Sequence, residues 1–207
     1  MTAADNAAPA RLAAGAPLVK ITGSVDAISA LFPLSQEGLA LRRPGLMPPD
    51  FIDLLCGAEL WIDAIRFLAH ALPRREAVWW ACTAARSGLD PNAAAQRQAV
   101  ETAEAWVYHP DEERRRAAVA AASAAGNDSP AHWAAMAAAW SGGSLAPPEA
   151  PVVPPGETLT AQAVAGAVLL AAVKPEPERA PERYRNAVAQ AIDIARGGTG
   201  RPKPSAQ

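Results

Sequence analysis

An all-α fold, an irregular array of about seven to nine helices, is predicted for this 207-residue chain by three features. Proline or glycine stops recur at intervals of roughly 20 residues from Pro49 to Gly142. Between the stops, apolar residues return every three or four positions, the period of a helix face. Alanine supplies much of the 50% hydrophobic fraction, so helices can approach closely although each buried alanine removes little apolar area from water.

Residues 1–17 are rich in Ala, Pro and Gly with few large apolar groups, and they predict a disordered N-terminal arm. Leu18–Thr22 alternates briefly, which suggests a short extended lead-in. Ser24 is placed to cap a short helix with Asp26 in its first turn, stopped by Pro33. Ser35 caps a second one that runs to Arg43, where Pro44 ends it. Pro48-Pro49-Asp50 opens a third element, Phe51 to Cys56, with a break expected at Gly57.

From Ala58 to Leu72 the polar residues are Glu59, Asp63, Arg66 and His70, at offsets of four, three and four, and the others are apolar. One polar stripe on a mostly covered cylinder predicts the central helix of the fold. Pro73 fits the first position of a following helix, Arg74 to Arg86, stopped at Ser87-Gly88. The short junction predicts that these two helices pack as an antiparallel hairpin.

Asp90-Pro91 opens a helix to about Tyr108, and Asp111 opens another that ends at Ala125 before Gly126. Ser129-Pro130 caps a helix that carries Trp133, Met136, Ala137 and Trp140 on one face and stops at Gly142-Gly143. These elements define a core domain at 18–142. A Pro-rich linker at 143–159, a C-terminal helical pair at 160–196 with Tyr184 and Val188 inward, and a disordered basic tail at 197–207 complete the organisation.

Composition and motifs exclude several function classes. A formal net charge of -2 argues against nucleic acid, whose binding needs a cationic excess. The longest apolar run, Ala161–Val173, falls short of the about 20 residues a membrane span requires. The N-terminus lacks the pattern of a secretory signal, and the two cysteines, Cys56 and Cys82, sit in apolar helical patterns, which predicts reduced thiols and a cytoplasmic location. His70, His109 and His132 show no metal-ligand spacing, and no Gly-rich phosphate loop or GxSxG turn occurs, so no metal and no cofactor are expected.

What remains is a cluster of ionisable groups around the Leu72-Pro73 junction: Asp63, Arg66, His70, Arg74, Arg75 and Glu76. Their spacing fits a solvated helix face with Asp63 and Arg66 paired at i, i+3. Trp79 and Trp80 point about 100° apart on a helix, so a second packed side is needed to bury both; one of the two is the interface candidate, and Trp80 joins the surface set. Together these seven residues form the predicted protein-binding surface of a non-enzymatic module. The alternative is a small enzyme in which His70 and Glu76 exchange a proton. A third reading makes the last two helices a tethered peptide that docks on the body or on a partner. Arg114-Arg115-Arg116, beside two glutamates, reads as a solvated charge run.

The run Ala64-Ile-Arg-Phe-Leu-Ala-His-Ala-Leu-Pro-Arg-Arg-Glu-Ala-Val-Trp-Trp-Ala-Cys82, preceded by Phe32-Pro-Leu-Ser35, resembles an uncharacterised family of small helical proteobacterial proteins. The likeness covers Phe32 to Ala139. Some members are encoded beside type VI secretion components, which implies an adaptor or accessory role with a protein partner. The resemblance assigns no catalytic residue.

Overall fold

The structure is a computed structural model and describes residues 16–174 and 176–201. Among them it is all-helical, with no strand and ten α-helices, eight of which are seven residues or longer. In chain order these are α1 (Val25–Ser29), α2 (Gln36–Ala40), α3 (Pro48–Gly57), α4 (Trp61–Ala71), α5 (Arg74–Ser87), α6 (Ala94–Tyr108), α7 (Glu112–Ala125), α8 (Pro130–Ala139), α9 (Leu159–Val173) and α10 (Ala180–Ala195). Of the arm expected at 1–17, residues 1–15, and of the tail expected at 197–207, residues 202–207, lie outside the described residues; residues 197–201 are held against the body by Asp193 and Trp79.

The capping residues act where the sequence places them. Ser24, Ser35, Asp111 and Ser129 each accept the amide three residues on, at Ala27, Gly38, Arg114 and His132. Asp90 behaves differently. Its carboxylate accepts the Asn92 amide at 2.8 Å, which forms a local turn, and α6 starts only at Ala94.

The expected hairpin of α4 and α5 does not form. Leu72 and Pro73 are both extended, with ψ of 144° and 147°, and two extended residues in succession carry α5 away from α4 instead of folding it back. The gap is filled by α9, which packs on α4, α5, α8 and α10. Its residues are apolar on every side, so no face prefers water. Val164, Ala167 and Val168 are buried, and Gly166 lies beneath the Trp133 ring. The central helix is therefore α9 rather than α4.

Helices α6, α7 and α8 form a second group, each packed on the other two, through alanines such as Ala103, Ala118, Ala122, Ala134 and Ala138. Arg115, expected in a solvated run, is 4% exposed. Its guanidinium pairs with Glu112 and donates to the Ala139 and Ser144 carbonyls, so it closes the end of α8 onto α7. The same arginine holds the base of the proline-rich segment. There the Leu145 amide donates to the Val153 carbonyl at 2.8 Å and Ser144 Oγ accepts the Val153 amide at 3.0 Å.

Residues 197–201 fold back on the body. Gly197 takes a φ of 93°, the Gly200 amide donates to Asp193, and Thr199 offers its carbonyl to the Trp79 indole at 2.7 Å. The Lys20 amide donates to the Ala195 carbonyl at 2.9 Å, which ties the lead-in to the end of α10.

Candidate functional site

The predicted surface around the Leu72-Pro73 junction is dispersed by the structure, because its members are engaged by different neighbours. Asp63 is 3% exposed and its carboxylate accepts both the Ser35 amide and the Ser35 hydroxyl, so it fastens the start of α2 to α4 instead of pairing with Arg66. Glu59 is not part of α4. It takes a left-handed φ of 55° at the end of α3, where the Leu60 amide reaches back to the Leu55 carbonyl at 2.9 Å and satisfies a free acceptor of that helix.

His70 stacks on Phe32, with ring centroids 4.8 Å apart, and its Nδ1 lies 2.8 Å from the Arg66 carbonyl. A carbonyl can only accept, so Nδ1 carries the proton and Nε2 is left buried without a partner. Burial holds the imidazole below its ordinary range, since a charged ring would need an acceptor at Nε2 that the surroundings lack. Glu76 is ion-paired with Lys20 at 2.9 Å. No hydrogen bond joins His70 to Glu76, and the proposed proton-transfer pair is not assembled.

The two arginines of the junction close helix ends. Arg75 donates to the Val107 carbonyl in the last turn of α6 at 2.6 Å, and Arg74 donates to the Ser141 carbonyl just past α8 at 3.1 Å. Trp80, placed in the expected surface, is fully buried and its indole donates to the Ala187 carbonyl of α10 at 3.0 Å. The reason is α10, which covers the second side of α5. Trp79 is the half-exposed tryptophan, roofed by Arg201 at 4.7 Å from the ring.

Two members of the predicted set, Asp63 and Arg66, line a cleft. The cleft has a volume of about 520 Å³ and is open at the N-terminal end of α4. Its floor is apolar: Pro33, Leu34, Leu60, Trp61, Ile62 and Tyr184 line it, with Ile62 46% exposed. Glu37, Glu59, Asp63 and Arg66 supply the charge, three carboxylates to one cation, and among the described residues Arg66 forms no ion pair. Burial raises the Tyr184 phenol above its ordinary range, as an apolar setting does. The sequence pattern counts Trp61 and Ile62 among the apolar positions of a covered helix and turns Tyr184 inward, whereas Ile62 is exposed. The signal present was an apolar residue beside a charged one at the start of a helix, which local periodicity does not separate from core.

The chemistry available elsewhere is limited. Cys56 and Cys82 are free, and burial pushes the Cys56 thiol up to about 12 and the Cys82 thiol higher still, so neither supplies a thiolate nucleophile. Among the described residues no group of three or more His, Cys, Asp or Glu is arranged to hold a metal ion. None of the described helices is long and apolar enough to cross a membrane.

Neither a curated protein nor a solved structure matches the chain. Residues 51–195, from within α3 to the end of α10, match DUF6931, a family of unknown function, and the chain belongs to that family.

Proposed function

We propose that this chain is a non-enzymatic protein-interaction module, an adaptor or accessory factor of a bacterial multi-protein system, and that it captures its partner in the Trp61–Tyr184 cleft. The observation that carries this reading is the cleft itself. An open apolar floor with an exposed Ile62 and an arginine engaged in no ion pair is the composition of an interface centre, aromatic and arginine-bearing. The ionic residues of the 70–76 junction serve as ties between helices. A place beside type VI secretion components is what the sequence resemblance implies, and an adaptor built on a docking cleft suits that setting.

The pair of substitutions Ile62→Asp and Arg66→Glu removes the exposed anchor and inverts the charge without touching a buried side chain. Affinity capture from the native cell, with captured proteins identified by mass, should lose its specific partner with this variant. Far-UV circular dichroism should be unchanged. Capture equal to that of the wild type overturns the reading.

A further inference from the structure

The cleft at the start of α4 carries more negative charge than positive, and the fold leaves most of that charge unused. Glu37 on α2 and Glu59 at the corner between α3 and α4 are both exposed, and among the described residues neither forms an ion pair or a side-chain hydrogen bond. Glu59 holds a left-handed φ of 55°, a conformation that Gly or Asn adopts at lower cost, so the turn itself does not call for a carboxylate. Asp63 adds a third negative charge, fixed in the wall by the Ser35 amide and hydroxyl. Arg66 lines the cleft and Arg185 stands just outside it, 6.0 Å from the Trp61 ring, so three carboxylates face two cations.

We propose that the segment captured here is cationic and amphipathic: an apolar side chain packs on Trp61 and Ile62, and a neighbouring Lys or Arg meets Glu37 and Glu59. The inference rests on the reading of the cleft as the docking surface, and it adds the class of partner.

Charge complementarity carries the choice. An acidic segment would bring like charge against Glu37 and Glu59, and a wholly apolar one would strip water from both carboxylates without replacing it. A cationic segment turns both into attractive contacts and is steered to the cleft from a distance. The aromatic rings suit the same partner, because a ring face attracts a guanidinium or ammonium, and Trp61 already draws that of Arg185. A volume of about 520 Å³ is that of a small-ligand pocket, so the cleft takes a few side chains of a peptide and not a broad protein face.

Arg66 sets the order of charges along the segment. It follows Ile62 by one helical turn, about 6 Å along α4, whereas Glu59 precedes the helix. The segment's cation therefore falls on the Glu59 side and a carbonyl or carboxylate falls at Arg66, with the apolar side chain between them.

Fluorescence anisotropy with two fluorescein-labelled peptides tests the assignment. Both carry the same leucine-bearing apolar face, flanked by lysines in one and by glutamates in the other. Titrated with the full chain, the lysine peptide should bind at least about tenfold more tightly, and its affinity should fall as salt rises from about 0.05 to about 0.5 M. Glu37→Lys with Glu59→Lys, both at exposed positions, should reverse the preference, and Ile62→Ser should weaken both peptides, with far-UV circular dichroism unchanged in each. Equal affinity for the two peptides, a preference for the glutamate peptide, a preference that survives the double lysine substitution, or no binding of the lysine peptide up to about 1 mM would each overturn the proposal. Cellular capture that is lost with the Ile62→Asp, Arg66→Glu pair keeps the cleft as a docking surface even then. Capture indifferent to that pair, with lysine-peptide binding indifferent to Ile62→Ser, fails the cleft itself.

Discussion

A chain lacking residues 144–207 is expected to lose cooperative unfolding altogether. Helix α9 packs against α4, α5, α8 and α10, and α10 covers Trp80 and accepts its indole proton at the Ala187 carbonyl. Removing both exposes Trp80 and the side chains beneath α9, and also removes Val164, Val168, Val188, Ala191 and Ile192 from the core. Each large apolar side chain returned to water costs about 1.5–3 kcal/mol, so a handful of them equals the whole of about 5–15 kcal/mol that stabilises an ordinary domain. Near-UV circular dichroism during a urea titration should show a flat trace in place of a sigmoid. A sharp transition for the truncated chain would mean that α9 and α10 are appended to a self-sufficient body.

The second large effect is expected at Arg115. Replacing it with Ala leaves the buried Ala139 carbonyl and the half-buried Ser144 carbonyl without their donor, and an orphaned buried acceptor costs about 1–3 kcal/mol. A loss of about 3 kcal/mol follows, read from the midpoint of chemical denaturation. Arg115→Lys should recover only part of it, because an ammonium cannot reproduce the planar fork that reaches Glu112 and two carbonyls at once. Gly143 belongs to the same device: its φ is 64°, and a Cβ there would sit 2.7 Å from Arg115 Nε.

The pH dependence of this clamp has a definite sign. Arg115, and behind it Arg116, hold the Glu112 carboxyl down to about 2 from an ordinary 4.5. A carboxylate whose folded value is depressed contributes stability that is fully present above the unfolded value and is lost as pH falls through the folded one. The difference between wild type and Glu112→Gln should therefore shrink from about pH 4.5 towards 2. Glu112 is half exposed, so solvent screening keeps its share small beside that of the buried carbonyl contacts.

Local features of the fold were legible in the sequence, and long-range ones were not. Ser24, Ser35, Asp111 and Ser129 cap the helices they precede because capping depends on three neighbouring residues. Burial of Cys82 followed from its place on an apolar face. Which helix occupies the centre was misjudged, although the signal was there: 159–173 is apolar all round, whereas 61–71 retains a polar stripe. The stripe itself misled because Asp63 is covered by Ser35, 28 residues away, and helical period says nothing of such a partner. Which of Trp79 and Trp80 is exposed was not legible, because the cover of Trp80 comes from Ala187, 107 residues on.

The candidate site has the same origin. Its walls come from Pro33–Glu37, from Glu59–Arg66 and from Tyr184, three segments that no local pattern connects. Of the seven residues expected to form a surface, Arg66 and Asp63 line the cleft, Arg66 in no ion pair and Asp63 held by Ser35. The other five hold elements of the structure together.

The division of labour between the cleft and the ionic junction is most directly measured by running cellular capture with two variants side by side. One carries Ile62→Asp and Arg66→Glu, and the other carries Arg74→Ala, Arg75→Ala and Glu76→Gln, with thermal unfolding recorded for both. The cleft variant should lose the partner at wild-type stability, whereas the junction variant should unfold at a lower temperature and still capture the partner below it. Partner loss with the folded junction variant, together with full capture by the cleft variant, would contradict the account.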